Sequence, residues 1–278
     1  MPKRRKRAFV REKRTYCGNQ YMEVDIYTYT EEQEKAVRKS RKRKHNITPP
    51  KQANLNDKNA RRYFAQLVNG NFGSGDYHVT LTYAQDQLPD TVEAADRQLR
   101  NYLRRLNYYR KNHQLPPLRY ITVTEGGRTG RIHHHIIMDG AVDRDMIESM
   151  WRNRQGQAIG YANADRLQPD GNALTALASY LSKDPAGRKR WSCSHNLDRP
   201  YYRTNDSKYS RRAVERIAKA PQDGEYWHQK YQGYQLLKDG YGADYNEDTG
   251  AWSITLRMIK TDNTTPPHIQ EREKRVKS

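Results

Sequence analysis

The sequence has few of the residues that mark several common protein classes. Its two cysteines, Cys17 and Cys193, lie far apart without CxxC spacing, which argues against a disulfide framework and a zinc ribbon. No apolar run approaches the ~18 residues that span a bilayer. The N-terminus is basic but has no apolar segment of a secretory signal, and no GxxxxGK[ST] stretch of an ATP-driven helicase occurs in the sequence. We therefore expect a cytoplasmic protein that has no membrane partner.

Acidic residues are also scarce relative to basic ones. The chain has 51 Lys and Arg against 32 Asp and Glu, a formal net charge of +19 and a mean hydropathy of -1.18. Such a surplus attracts polyanions and makes nucleic acid the expected partner. A soluble protein with a basic tail is the alternative. Phe is rare (3) but Tyr is abundant (21), and tyrosines among basic residues suit base stacking.

Charge and pattern divide the chain into three predicted parts. Residues 1–60 form a basic N-terminal arm with clusters at 3–7 and 38–45, and residues 1–15 are expected to be solvated or to bind phosphates. Residues 61–190 form the core. Residues 191–278 form a basic C-terminal extension that packs on the core. Within the arm, residues 21–30 alternate weakly and predict a strand or hairpin.

The core has alternating strand and helix patterns. Period-2 alternation predicts strands at 77–83, 119–125, 132–138 and 159–167, and apolar residues at helical spacing predict helices at 90–112, 143–151 and 171–184. A capping box of Asp90 and Glu93 would begin the first helix. A basic helix at 207–220 and a strand at 251–260 follow. The order predicts an α+β fold, with helices to one side of an antiparallel sheet.

Three consecutive histidines begin the strand at 132–138. Side chains alternate along a strand, so His133 and His135 share one face and His134 points to the other. Glu125 ends the preceding strand of the hairpin and comes close to His133. Two imidazoles and a carboxylate make a three-ligand site that suits Mg²⁺ or Mn²⁺ bound to a phosphate, with zinc chemically allowed. Surface histidines without a metal are the alternative.

The register of this hairpin decides whether the three ligands converge. If Glu125 pairs with His133, the carboxylate shares a face with both His133 and His135. If it pairs with Ile132 instead, it shares a face with His134. Glycines near the turn allow the first register, and we predict that one.

The segment "YLSKD" supplies a second candidate for chemistry. Tyr180 and Lys183 lie three residues apart on the polar side of the helix at 171–184 and are neighbours. A tyrosine hydroxyl can act as a covalent nucleophile, although its pKa of ~10 requires an activated electrophile. Lys183 could neutralise phosphate charge. An ordinary amphipathic helix with a boundary tyrosine is the alternative.

Taken together, "HVTLTY", "HHH" followed by "IIM", and "YLSK", in that order, resemble the three motifs of the HUH endonucleases. More closely, residues 68 to 205 are similar to single-tyrosine rolling-circle replication initiators of bacterial phages and plasmids. The resemblance implies an antiparallel central sheet of about five strands with flanking helices, akin to an RNA-recognition fold. It also implies metal ligation by His133, His135 and Glu125, a Tyr180 nucleophile and an accompanying Lys183. His134 departs from the usual apolar residue between the two ligands.

The resemblance also implies an activity and its partners. The chain would nick a replication origin in the bacterial cytoplasm through a covalent 5′-phosphotyrosine and so initiate rolling-circle replication. Its partners would be single-stranded DNA, origin hairpin or duplex DNA, and a host helicase and polymerase. The expected DNA-binding residues are Arg97, Arg100, Arg104, Arg128, Arg131, Lys189 and Arg190.

Three alternative functions stay open on this fold. A relaxase usually has its tyrosine ahead of the histidines, whereas Tyr180 follows them. A single-tyrosine transposase is usually shorter and has no such basic flanks. A non-catalytic DNA-binding repressor is disfavoured by the joint presence of His133, His135, Glu125 and Tyr180.

Overall fold

The computed structural model describes residues 8–30, 50–126, 130–183, 190–247 and 250–262, with side chains from residue 55 onward in the first helix. In chain order the elements are β1 (Ala8–Cys17), β2 (Tyr21–Thr30), α1 (Pro50–Asn71), β3 (Tyr77–Leu81), α2 (Val92–Asn112), β4 (Tyr120–Glu125), β5 (His133–Met138), α3 (Arg144–Ser149), β6 (Ala162–Arg166), α4 (Thr175–Leu181), β7 (Ser192–Cys193), β8 (Tyr201–Asn205), α5 (Arg211–Lys219), α6 (Gly224–Lys230), β9 (Tyr234–Asn246) and β10 (Ala251–Lys260).

These elements divide between two compact units, one of residues 1–60 and 199–278 and one of residues 61–198. Each unit contains a five-stranded sheet, and all strand pairs in both sheets are antiparallel. The predicted α+β class is therefore confirmed. Among the described helices, none has a stretch long and apolar enough to cross a membrane.

The first unit joins the two ends of the described chain in one sheet. Its strand order is β8-β1-β2-β10-β9. One face packs on α5 and α6 through a core that includes Val24, Ile26, Leu256, Ile217 and Trp227. The predicted strands at 21–30 and 251–260 and the basic helix near 207–220 are present. Strands of this sheet come from both predicted flanking parts, residues 1–60 and residues 191–278.

The solvated arm predicted for residues 1–15 is wrong from Ala8 onward, because β1 pairs with β2 and with β8. The partner β8 is almost 200 residues away, and a pairing at that distance leaves no trace in local periodicity. The basic clusters at 3–7 and 38–45 lie outside the described residues.

The second unit has the strand order β6-β3-β5-β4-β7, so β5 is a central strand with β3 on one side and β4 on the other. Residues directly opposite one another share a face. One face carries His133, His135 and Glu125 and is called here the site face. The other carries His134 and Ile136 and is called the α2 face.

Helices cover both faces of this sheet, not one side as the sequence suggested. The α2 face packs against α2 and α3 through Leu99, Tyr102, Leu106, Ile136 and Ile147. The site face packs against the part of α1 from residue 61 onward and against α4, in a core of Phe64, Leu67, Val68, Phe72, Ile121, Val123, Ile137, Leu174, Ala178 and Leu181. Strands with apolar residues on both faces need two covering layers, and β5, with Ile136 and Ile137 both buried, is such a strand.

Helix α2 follows the predicted apolar stripe but begins at a different cap. Thr91 is the N-cap, and its hydroxyl accepts from the Ala94 amide, so the predicted Asp90–Glu93 capping box is wrong. At the other end, buried Arg110 donates to the Asp139 carboxylate at 2.7 Å. This ion pair ties the end of α2 to the residue that follows β5.

Candidate metal centre and nucleophile

The hairpin has the predicted register. Glu125 pairs with His133, Val123 with His135 and Ile121 with Ile137. Gly126 follows Glu125 with φ +85°, and a side chain there would collide with the Arg131 carbonyl. The glycine therefore allows the close approach that sets the register.

This register brings the three predicted ligands together on the site face. Among the described residues, Glu125, His133 and His135 form the one cluster of potential metal ligands, and their ligand atoms lie within 4.8 Å of one another. Glu125 Oε2 lies 3.5 Å from His133 Nε2 and 3.9 Å from His135 Nε2. The cluster therefore brings one hard carboxylate oxygen and two imidazole nitrogens close together.

Hydrogen bonds on the outer ring nitrogens orient both imidazoles. His133 Nδ1 lies 3.0 Å from the Arg131 carbonyl, which can only accept, so the neutral tautomer that fits this contact has its proton on Nδ1 and its lone pair on Nε2. His135 Nε2 is buried without a hydrogen-bond partner among the described residues. Burial, then the charges of His78 and His133, lower the pKa of His135 to about 3. A buried, neutral and unpaired imidazole nitrogen fits a metal ligand.

Two residues that the sequence did not identify hold the His135 ring. His78 Nε2 lies 3.1 Å from His135 Nδ1, and Thr80 Oγ1 lies 3.3 Å from the same atom. Both stand on β3, where Thr80 pairs with His135 and His78 with Ile137. When Nδ1 donates to either acceptor, Nε2 points its lone pair toward Glu125. Strand alternation in "HVTLTY" places His78 and Thr80 on one face. Their contact with His135 depends on the pairing of β3 with β5, which the sequence pattern does not reveal.

His134 lies on the α2 face and is fully buried. Its Nδ1 is 2.9 Å from Thr124 Oγ1, which donates to Asp96, and its Nε2 is 2.8 Å from the Tyr83 hydroxyl. Burial, then the charges of its two neighbours, lower its pKa to about 3. Both nitrogens of this neutral ring are used, so His134 belongs to the core, as its strand parity predicts.

Tyr180 lies beside the cluster. Its ring centroid is 6.0 Å from that of His135 in an edge-on arrangement, and its side chain is 58% exposed. The buried residues Ala178 and Leu181 fix α4 to the core on the site face. Lys183 follows the C-cap Ser182, so it stands just beyond the helix and is exposed. The structure thus brings an accessible phenol to the edge of the three-ligand cluster.

The predicted DNA-binding arginines are more widely spread. Arg97, Arg100 and Arg104 are exposed on α2, which covers the α2 face and not the site face. Arg131 donates to the Tyr83 carbonyl, and Arg190 is exposed. Arg128 and Lys189 lie outside the described residues.

Comparison with known families gives a match that covers the candidate site. Residues 76–185 match the model of the family described as replication-associated protein ORF2/G2P. The matched stretch is less than half of the chain, but it contains Glu125, the histidines and Tyr180. Searches of curated proteins and of solved structures gave no match. The predicted resemblance to rolling-circle replication initiators is confirmed for this stretch.

Proposed function

Because residues 76–185 carry the pattern of the replication-associated ORF2/G2P family, we propose that this chain is a metal-dependent DNA nicking and joining endonuclease that initiates rolling-circle replication. The observation that carries the proposal is the convergence of Glu125, His133 and His135 beside the exposed phenol of Tyr180. A repressor on the same fold would need neither the ligand cluster nor an accessible tyrosine next to it.

Glu125, His133 and His135 would hold one Mg²⁺ or Mn²⁺ ion. A carboxylate oxygen suits these hard cations, and three protein ligands leave positions for phosphate oxygens. When bound, the ion supplies positive charge to the scissile phosphate and makes its phosphorus a better electrophile. The hydrogen bonds from His133 to Arg131 and from His135 to His78 and Thr80 would hold the two imidazole rings in the orientation that metal binding requires.

The chain's own residues then carry out the transfer. The Tyr180 oxygen attacks the phosphorus and forms a phosphotyrosine, the bond from phosphorus to the 3′-oxygen breaks, and the phenolic proton is lost to solvent while the 3′-oxygen takes up a proton. The exposed side of Tyr180 leaves room for DNA. Lys183, three residues along, would offset negative charge on the phosphate.

The products suit initiation of replication. The free 3′-OH can prime synthesis, while the phosphotyrosine keeps the phosphodiester energy, so a later 3′-OH can close the strand without ATP. The sequence contains no Walker A motif, so we propose that a host helicase and polymerase act on the nicked origin. Single-stranded and hairpin or duplex origin DNA would be held largely through phosphates by the basic surface.

The proposal is tested by covalent capture of DNA. The purified chain is incubated with single-stranded origin DNA and Mn²⁺, and adducts are resolved on a denaturing gel. Tyr180→Phe should reduce adduct formation on the order of 10³-fold or more, because it removes the nucleophilic oxygen. DNA affinity should stay close to that of the parent, since the ring is retained.

Tyr161→Phe is the matched control, because Tyr161 is also an exposed tyrosine of the same unit. It should form the adduct at the parent rate. Normal adduct formation by Tyr180→Phe, together with loss of the adduct in Tyr161→Phe, would show that Tyr161 is the nucleophile. No adduct with the parent chain on a cognate origin would refute the enzymatic proposal.

A further inference from the structure

A groove on the α2 side of the second unit is a candidate binding site that the nicking chemistry does not use. It runs between the C-terminal half of α2 and α3 with the loop after it, and has a volume of about 940 Å³. Met146, Met150 and Tyr109 line it and pack on the core beneath. Tyr108, which is 68% exposed, adds a second ring. The groove therefore has an apolar base that is open to solvent.

Four arginines also line this groove, whereas no aspartate or glutamate is among the described residues that do. Arg104 donates to the Asn101 amide oxygen, and Arg105 donates to the Met150 carbonyl. Arg152 donates to the Ser149 carbonyl. These acceptors are neutral, so they satisfy donors without offsetting the positive charges.

Two of these charges affect one another. Burial lowers the pKa of Arg105, and the charge of Arg152 lowers it further. Two guanidinium groups near each other with neutral partners attract an anion, and their planar forks match phosphate oxygens. The groove thus combines an anion site with an apolar, aromatic base.

We propose that this groove binds a segment of single-stranded DNA, with phosphates at Arg105, Arg152 and Arg154 and a base against Tyr108 and the methionines. Stacking on an aromatic ring and phosphate contact are the two elements of single-strand binding. The side-chain amide nitrogen of Asn101, which also lines the groove, could contact a base edge. The choice of DNA as ligand rests on the proposed function, but the site does not depend on the nicking chemistry.

The groove and the ligand cluster lie on opposite sides of one sheet, since α2 and α3 cover the α2 face and the cluster stands on the site face. A strand bound in the groove is therefore a second contact, separate from the strand at Tyr180. An acidic amphipathic peptide is the competing occupant. DNA is favoured because the chain carries a net charge of +19 and the groove offers an exposed ring for stacking.

Binding is measured by fluorescence anisotropy with the full chain and a fluorescein-labelled oligothymidylate, in EDTA so that no cleavage occurs. Arg152→Gln combined with Arg154→Gln should weaken binding about tenfold at low salt and reduce the salt slope by about 1.4, the loss expected for two phosphate contacts on a single strand. The control pair Arg144→Gln with Lys219→Gln removes the same charge from two exposed ion pairs outside the groove. It should change the affinity about twofold or less by long-range screening alone.

A second pair of variants tests stacking. Tyr108→Ala should weaken binding about fivefold or more, even at high salt, while Tyr108→Phe should keep the parent affinity because its ring still stacks. Equal losses in the groove pair and the control pair, or equal affinity of Tyr108→Ala and Tyr108→Phe, would overturn the proposal. Unchanged oligothymidylate affinity with weakened binding of a polyglutamate probe would show that the occupant is a peptide.

Failure of this site and failure of the nicking proposal are distinguishable. Groove variants at saturating DNA should form the covalent adduct at the parent rate, and Tyr180→Phe should bind oligothymidylate like the parent. Suppose that the groove variants lose affinity for oligothymidylate and that neither the parent nor any variant forms the covalent adduct. This result would support DNA binding in the groove and contradict the nicking activity.

Discussion

The two faces of strand β5 carry the same side chain and use it differently. On the α2 face, His134 is fully buried and lies between the hydroxyls of Tyr83 and Thr124. On the site face, His133 and His135 each have one nitrogen occupied and direct the other toward Glu125. A structural histidine is thus distinguished from a candidate ligand by whether both ring nitrogens have hydrogen-bond partners, and not by residue type.

A carboxylate in the other unit strengthens this contrast. Glu12 is buried and contacts Lys208, Tyr231 and Arg14. Although burial opposes the shift, the hydrogen bonds from Lys208 and Tyr231 hold the pKa of Glu12 below its ordinary value. At Glu12 the positive charges come from the side chains of Lys208 and Arg14. At Glu125 the carboxylate instead faces the Nε2 atoms of His133 and His135.

Of the substitutions that test the comparison of the two faces, removal of both ligand histidines should have the largest effect. His133→Ala with His135→Ala should lower Mn²⁺ affinity about 100-fold or more, since two of three ligands are lost, and adduct formation should fall at least as far. Single-stranded DNA affinity should change little, because it depends on phosphate charge. Isothermal titration with Mn²⁺ checks the first result and anisotropy the second. His195→Ala, at an exposed histidine, is the control, and a parallel loss there would contradict the assignment.

Removing the central histidine should affect the fold instead. His134→Ala leaves the buried hydroxyl of Tyr83 and the half-buried hydroxyl of Thr124 without this partner and creates a cavity. The free energy of unfolding should therefore drop by about 3 kcal/mol. Urea unfolding in EDTA measures it. Mn²⁺ affinity of the folded variant should match the parent. A variant of normal stability that no longer binds Mn²⁺ would place His134 in the metal site and reverse the comparison.

A smaller effect is expected from the residue behind His135. His78→Ala removes an acceptor for Nδ1 and should weaken Mn²⁺ binding about tenfold, as for other partners that orient a ligand. Titration calorimetry measures the affinity, and the electron paramagnetic resonance spectrum of bound Mn²⁺ reports the altered ligand geometry. His78→Gln, which offers a carbonyl oxygen as acceptor, should recover part of the affinity. Equal affinity of the parent and His78→Ala would remove His78 from the site.

The smallest expected effect is a pH dependence of stability. His134 has a folded pKa of about 3 against 6.5 for the free side chain, so the unfolded chain takes up a proton first as the pH falls. The stabilisation is complete well above pH 6.5 and is lost toward pH ~3. Between pH 6.5 and pH 5.5 the expected loss is about 1 kcal/mol. Urea unfolding of the parent and of His134→Gln in EDTA at pH 5.5 and 6.5 isolates this contribution. Identical pH slopes would show that His134 does not titrate as described.

Much of the site was predictable because it depends on local rules. The parity of His133 and His135 follows from strand geometry, and the register with Glu125 is permitted by Gly126, which has a positive φ. The N-cap at Thr91 was missed because Asp90 is an equally good capping residue and only the backbone angles distinguish them. Helix α1 was missed as well, since it begins at Pro50, the second of two consecutive prolines, a pair that usually marks a turn or loop.

The alternation of the three histidines and the apolar stripe of α2 could be read from the amino-acid pattern alone, because each depends on residues within one strand or a few helical turns. The order of the three motifs is likewise a property of the chain. In contrast, the placement of β3 beside β5, of Tyr180 beside His135 and of β1 beside β8 became known only from the three-dimensional fold. The two kinds of feature differ in the sequence separation of the residues that determine them. Backbone periodicity acts between neighbours in sequence, whereas strand adjacency is selected by the burial of whole faces, which no single segment encodes.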